Sequence, residues 1–212
     1  MARKVFFSFH FGKDSQRAAQ VRNADMLADE DEYGVIDAVD WEKLEREGAE
    51  SIKRWILSQL EGTSVTVVLI GAETADRPWV RYEIRKSWER GNALVGLKIH
   101  NVKNLKGETD SPGINPLEQM KFTDGTTLSS VSKTYDWNND NGRENLGTWV
   151  EEAFQARETT SEEKEIEESD DDTNNSGGGN IPARPLPQNP STGPVVVNRP
   201  PAQPWCNVES YS

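Results

Sequence analysis

Two short clusters in this sequence could do chemistry. In Arg77-Pro78-Trp79-Val80-Arg81-Tyr82-Glu83-Ile84, Glu83 has Trp79 four residues before it and Ser87 four after. If the segment is helical, that spacing puts the three on one stripe. The second cluster, Ser8-Phe9-His10-Phe11, ends an apolar run that begins at Val5. It offers a hydroxyl, an aromatic ring and an imidazole at consecutive positions. The chemistry open to Glu83 is that of a fixed negative charge. Spacing alone leaves it open between that role and a solvated surface acid, and Trp79 equally open to simple packing.

Other chemistries lack their parts. No Gly-x-x-x-x-Gly-Lys-Ser/Thr loop is present for a nucleoside triphosphate. Phe11-Gly12-Lys13 supplies one glycine where a dinucleotide-binding Rossmann fingerprint needs three. A His-Glu-x-x-His zinc motif is absent, and so are the acids a phosphoacceptor receiver places after its first and third strands. The only histidines are His10 and His100, too few for a metal site to be expected. A lone cysteine, Cys206, excludes an internal disulfide framework and a Cys-based zinc site.

These residues must be held by elements legible as alternating strands and helices. Val5 to Phe9 reads as a strand buried on both faces. A helix is expected from Lys13 to about Leu27, capped by Asp14 or Ser15, then a weaker strand from Tyr33 to Val39. Glu42 to Leu60 carries a helical stripe of Ile52, Trp55, Ile56 and Leu60, closed by Gly62. Val65 to Ile70 is the most hydrophobic strand and is expected at the centre of the sheet. Pro78 opens a helix with core stripe Val80, Ile84 and Trp88, since proline is tolerated in a first turn. Ala93 to Ile99 is a further strand. A loop over 101–116 follows, then short β-like pieces at 121–122 and 126–135. A last helix from Leu146 to Gln155 turns Leu146, Trp149, Val150, Ala153 and Phe154 inward. The alternation predicts an α/β fold, a mostly parallel sheet flanked by helices in the flavodoxin-like order 2-1-3-4-5. Ligands of such sheets sit beyond the C-terminal strand ends at the switch point, where Ser8 to Phe11 and Gly71 to Thr74 emerge.

The chain has 212 residues and a net charge of −12. That balance argues against nucleic acid as a partner, because phosphate binding needs clustered Lys and Arg. No apolar run approaches the ~20 residues of a membrane-spanning helix, and the start shows no signal-peptide pattern, so a cytoplasmic protein is expected. Composition changes near Arg157: the remainder holds 8 of the 11 prolines and 10 acidic against 4 basic residues. A folded domain over 1–156 and a disordered acidic, then proline-rich, tail over 157–212 are expected.

The chain resembles the TIR-like family of the Thoeris anti-phage system. The matching pieces, in order, are Val5 to His10, Val21-Arg22-Asn23, Trp55-Ile56 with Gly62-Thr63-Ser64, and Val68 to Gly71. Then come Trp79 to Glu83, Ile99-His100, Gly113 to Pro116, and Tyr135-Asp136-Trp137 through Asn145-Leu146-Gly147 and Trp149. Together they span residues 3 to about 156. The tail has no counterpart in that pattern.

The resemblance implies a TIR-type fold and an enzyme that cleaves the nicotinamide–ribose bond of NAD. Its cyclic or modified ADP-ribose product would activate a separate effector, in answer to a phage-derived trigger. Glu83 matches the catalytic acid. Glycosidic cleavage passes through an oxocarbenium-like ribose, whose charge a nearby carboxylate stabilises. Nicotinamide leaves from a cation, so no second acid is needed and no cofactor beyond NAD as substrate. Ser8, Phe9, His10, Trp41 and Trp79 are the expected contacts to NAD: Phe9 against a base ring, Trp79 against nicotinamide, and His10 where a basic residue is frequent in the family. Core packing remains open for Phe9, Trp41 and Trp79. Arg17, Arg22, Arg77 and Arg81 are candidates for a positive pocket, and a homo-oligomer could complete the site. The competing readings are a non-catalytic TIR-like adaptor with Glu83 on its surface and, third, a nucleoside-processing deoxyribosyltransferase. The Trp79-to-Glu83 spacing favours the first.

Overall fold

The computed structural model describes residues 3–23, 46–159 and 164–167. Four parallel strands lie in the order β1 (Val5–Ser8), β2 (Val65–Ile70), β3 (Ala93–Lys98) and β4 (Thr134–Asp136). The expected strand at 33–39 lies outside the described residues. For the other four, the expected sequence of neighbours is the one found. All six residues of β2 are buried, as its position between two partners requires.

Alternation along the strands sorts the core into two faces. Val65, Val67 and Leu69 pack with Ala18 and Val21 of α1 (Phe11–Arg22) and with Leu146, Trp149 and Val150 of the last helix. Val68 and Ile70 face the other way, onto Val80, Ile84 and Trp88 of the Pro78–Glu89 helix. Beside that cluster, Phe6 and Tyr82 pack with Ile52, Ile56 and Leu60, the stripe of α2 (Ala49–Gln59) and its C-cap. We call the Pro78–Glu89 helix α3, the short Pro116–Gln119 helix α4 and the last, Gly142–Thr159, α5.

Several boundaries differ from expectation for local reasons. α1 begins at Phe11 with His10 at its cap position, so Asp14 falls one turn inside the helix and is fully buried rather than capping it. The helix expected as continuous from Glu42 to Leu60 is broken at Gly48, whose φ of 95° lies outside helical space. α5 starts four residues earlier than the apolar stripe and runs to Thr159, past the compositional boundary at Arg157. Residues 164–167 also pack onto the fold. Ile166 is buried beside Phe122 in an antiparallel bridge, and Trp88 Nε1 donates to the Lys164 carbonyl at 2.6 Å. Apolar Ile166 thus finds a core site inside an acidic stretch that composition alone marks as solvated. The rest of the expected tail lies outside the described residues.

Candidate active site

α3 crosses the sheet antiparallel to the strands, and its polar stripe records the direction. Ser87 meets Thr66 near the start of β2, with Thr66 Oγ1 donating to Ser87 Oγ at 2.8 Å. One turn earlier on the helix, Glu83 meets Ser8, the last residue of β1, whose Oγ donates to Glu83 Oε2 at 2.6 Å. The expected stripe is real, and its carboxylate stands at the C-terminal edge of the sheet, where α/β folds place their ligands.

Glu83 is only 7% exposed. Its helix neighbours Val80, Tyr82 and Ile84 are buried too, so α3 is enclosed around this position. Burial pushes the Glu83 carboxyl up to about 8, opposed by the hydrogen bond from Ser8. At neutral pH the resting group holds its proton. A cation arriving beside it would favour the anion.

The same C-terminal edge of the sheet carries two turns. After β2, Gly71 N donates to Thr74 Oγ1 at 2.9 Å, and Thr74 to Asp76 form a 3₁₀ turn that leads into Pro78 at the first turn of α3. Gly113 presses against this turn: a Cβ there would lie 2.0 Å from the Gly71 carbonyl oxygen. After β1, His10 and the first turn of α1 come alongside. His10 is largely buried, and desolvation first, then Arg77, lowers its pKa. Its Nδ1 has no hydrogen-bond partner and lies 4.0 Å from Glu73 Oε2.

Of the other expected residues, Trp79 lies one turn before Glu83 and packs against the Phe6–Ile56 cluster, edge-on to Tyr82 at 5.9 Å between ring centres. Phe9 packs against the α1 and α5 side of the sheet and pairs with Phe11 at 6.3 Å, whereas Glu83 belongs to the α3 side. Trp41 lies outside the described residues. Arg17, offered as a pocket cation, is buried instead. Its Nε donates to the Val102 carbonyl and its Nη1 to Asp14 Oδ1, tying α1 to the loop after β3.

Lys13, Glu73 and Asp110 received no role from sequence, yet they meet at this edge. Lys13 Nζ lies 3.0 Å from Glu73 Oε1 and 3.2 Å from Asp110 Oδ2, and Arg77 Nη2 donates to Glu73 Oε2. The signal was position, since His10 and Glu73 fall within three residues of the ends of adjacent strands and Lys13 lies in the first turn of the helix that follows β1.

Comparison with known proteins agrees with this geometry. Residues 6–104 match the family model described as "Thoeris protein ThsB, TIR-like domain". A Bacillus cereus (strain MSX-D12) protein named "Putative cyclic ADP-D-ribose synthase ThsB1" is 34% identical over 191 residues, covering 71% of this chain and 100% of that protein. Sheet order, the acid at its C-terminal edge and this similarity converge: the chain belongs to the ThsB family of Thoeris TIR-like proteins.

Proposed function

We propose that the protein breaks the nicotinamide–ribose bond of NAD and converts the ADP-ribose part into a cyclic signal of anti-phage defence, with Glu83 as the catalytic acid residue. The observation that carries this is a buried carboxyl at the C-terminal sheet edge, held by a single hydroxyl donor. The relative's name supplies the product class.

The chemistry fits that environment. When the bond from ribose C1′ to the pyridinium nitrogen breaks, its electron pair goes to the nitrogen and nicotinamide leaves neutral. Positive charge then passes to the ribose ring. Ionised Glu83 stabilises that charge, and a low-dielectric setting makes the interaction stronger than in water. The Ser8 hydroxyl orients the carboxylate and favours its anion. Capture of C1′ by a nucleophile of the same molecule closes the ring and releases one proton. Trp79, Phe9 and His10 are proposed contacts to the dinucleotide. A phage-derived trigger and a separate effector complete the proposed pathway.

The test is to incubate purified protein with NAD, with and without lysate of phage-infected cells, and resolve products by chromatography and mass spectrometry. Wild type is expected to release nicotinamide and a cyclic ADP-ribose, and Glu83→Gln to release neither while remaining folded. Wild type that leaves NAD intact under triggering, or a Gln variant that matches it, returns the fold to the adaptor reading.

A further inference from the structure

At the C-terminal edge of the sheet, after the strand next to the one whose last residue holds Glu83, a second carboxylate is held in a way the proposed bond cleavage does not use. Glu73 follows β2, and both its oxygens are taken by cations from different elements. Oε1 receives Lys13 Nζ of α1 at 3.0 Å, and Oε2 receives Arg77 Nη2 from the cap of α3. The His10 imidazole stands 4.0 Å from the same Oε2, with its Nδ1 lacking a hydrogen-bond partner, as does the buried Nε of Arg77. A lysine and an arginine closing on two oxygens of one anion is also how proteins hold phosphate.

We propose that Lys13, Arg77 and His10 are the seat for the diphosphate of the dinucleotide, and that Glu73 is a built-in competitor that keeps the seat closed until substrate displaces it. The inference rests on the NAD reading. Glu73 is 41% exposed, Lys13 35% and Arg77 39%, so these pairs can part into solvent. Exposed ion pairs of this kind are weakly held, because solvent screens them. Asp110 Oδ2 lies 3.2 Å from Lys13 Nζ and keeps that lysine in place when Glu73 leaves. A diphosphate carries more charge than one carboxylate and spans both cations. It wins the exchange, while smaller anions do not. Glu73 therefore sets a threshold for substrate and discriminates by charge.

The experiment measures ADP binding by calorimetry for wild type, Glu73→Gln and Arg77→Gln, with adenosine as the phosphate-free control, and KM and kcat for NAD on the same proteins. Glu73→Gln is expected to bind ADP about three- to tenfold more tightly, an advantage that shrinks at high ionic strength. Its adenosine binding should be unchanged, and KM for NAD should fall more than kcat changes. Arg77→Gln should weaken ADP binding by a similar factor. The idea is overturned if Glu73→Gln binds ADP no more tightly than wild type, or if adenosine gains equally. Wild type that leaves NAD intact even with lysate of phage-infected cells, yet shows the expected ADP pattern, would sink the NAD reading and keep the anion seat.

Discussion

Ser8 Oγ and Glu83 Oε2 lie 2.6 Å apart across 75 residues of sequence, joining the last residue of β1 to the middle of α3. This contact sets where the acid stands, what it faces and how it titrates. A carboxyl with one hydroxyl donor and otherwise little exposure stays protonated at rest, so its charge becomes available in proportion to pH or to the arrival of a cation.

That titration predicts the shape of the pH–rate profile. In the proposed mechanism the anion of Glu83 is the working form, so kcat/KM for NAD should rise with pH and level off above about 8, the value to which burial pushes Glu83. Ser8→Ala removes the group favouring the anion. The rise should then move to higher pH, and kcat/KM at pH 7 should fall by about ten- to a hundredfold, the range for a lost hydrogen bond to a charged group. An unmoved profile in Ser8→Ala would show that the contact does not tune the acid.

Stability should respond in the opposite sense. Folded Glu83 keeps its proton up to about pH 8 while an ordinary glutamate releases it near 4.5, so the folded chain binds more protons across that window. Stability contributed by this group is therefore lost as pH rises from about 4.5 to 8. Glu83→Gln keeps the shape without the charge. Its melting temperature should match wild type near pH 4.5 and exceed it by several degrees at pH 8.5. Subtracting the two curves cancels the separate titration of His10.

Gly113→Ala tests the turn that carries Glu73. The added methyl would lie 2.0 Å from the Gly71 carbonyl oxygen and 2.8 Å from the Ala72 carbonyl carbon, and backbone cannot yield as a flexible side chain does. A loss of about 1–3 kcal/mol is expected in denaturant melts, together with a change in KM for NAD as the Gly71–Asp76 turn shifts.

The C-terminal limit of the fold can be tested by truncation. A chain ending at Ala156 loses Ile166 from beside Phe122 and the Lys164 carbonyl from Trp88 Nε1. A chain ending at Gly177 keeps both. The shorter chain should be less stable by about 2–3 kcal/mol, chiefly from exposing the Ile166 site. Equal melts would put the boundary back at Arg157.

Periodicity was enough to reveal the parallel sheet, because strands buried on both faces read as unbroken apolar runs such as Val65 to Ile70. It also revealed the stripe of Trp79, Glu83 and Ser87, since a spacing of four is a local property of a helix. Cap and break positions were less legible: Gly48 interrupts a stripe that apolar spacing carries straight through, and Asp14 looks like a cap until α1 is seen to start at Phe11.

Sequence order could supply the candidates but not their company. Whether Glu83 faced water or a strand end depended on how α3 lies across β1, a contact between residues far apart in the chain. The same holds for Glu73, which local composition presents as one more surface acid. Its meaning comes from Lys13 and Arg77 arriving from separate elements. Ile166 likewise owes its burial to Phe122 and not to its acidic neighbours. Helical and strand periods are set by the backbone within a few residues, whereas burial and charge pairing are set by whatever the fold brings alongside.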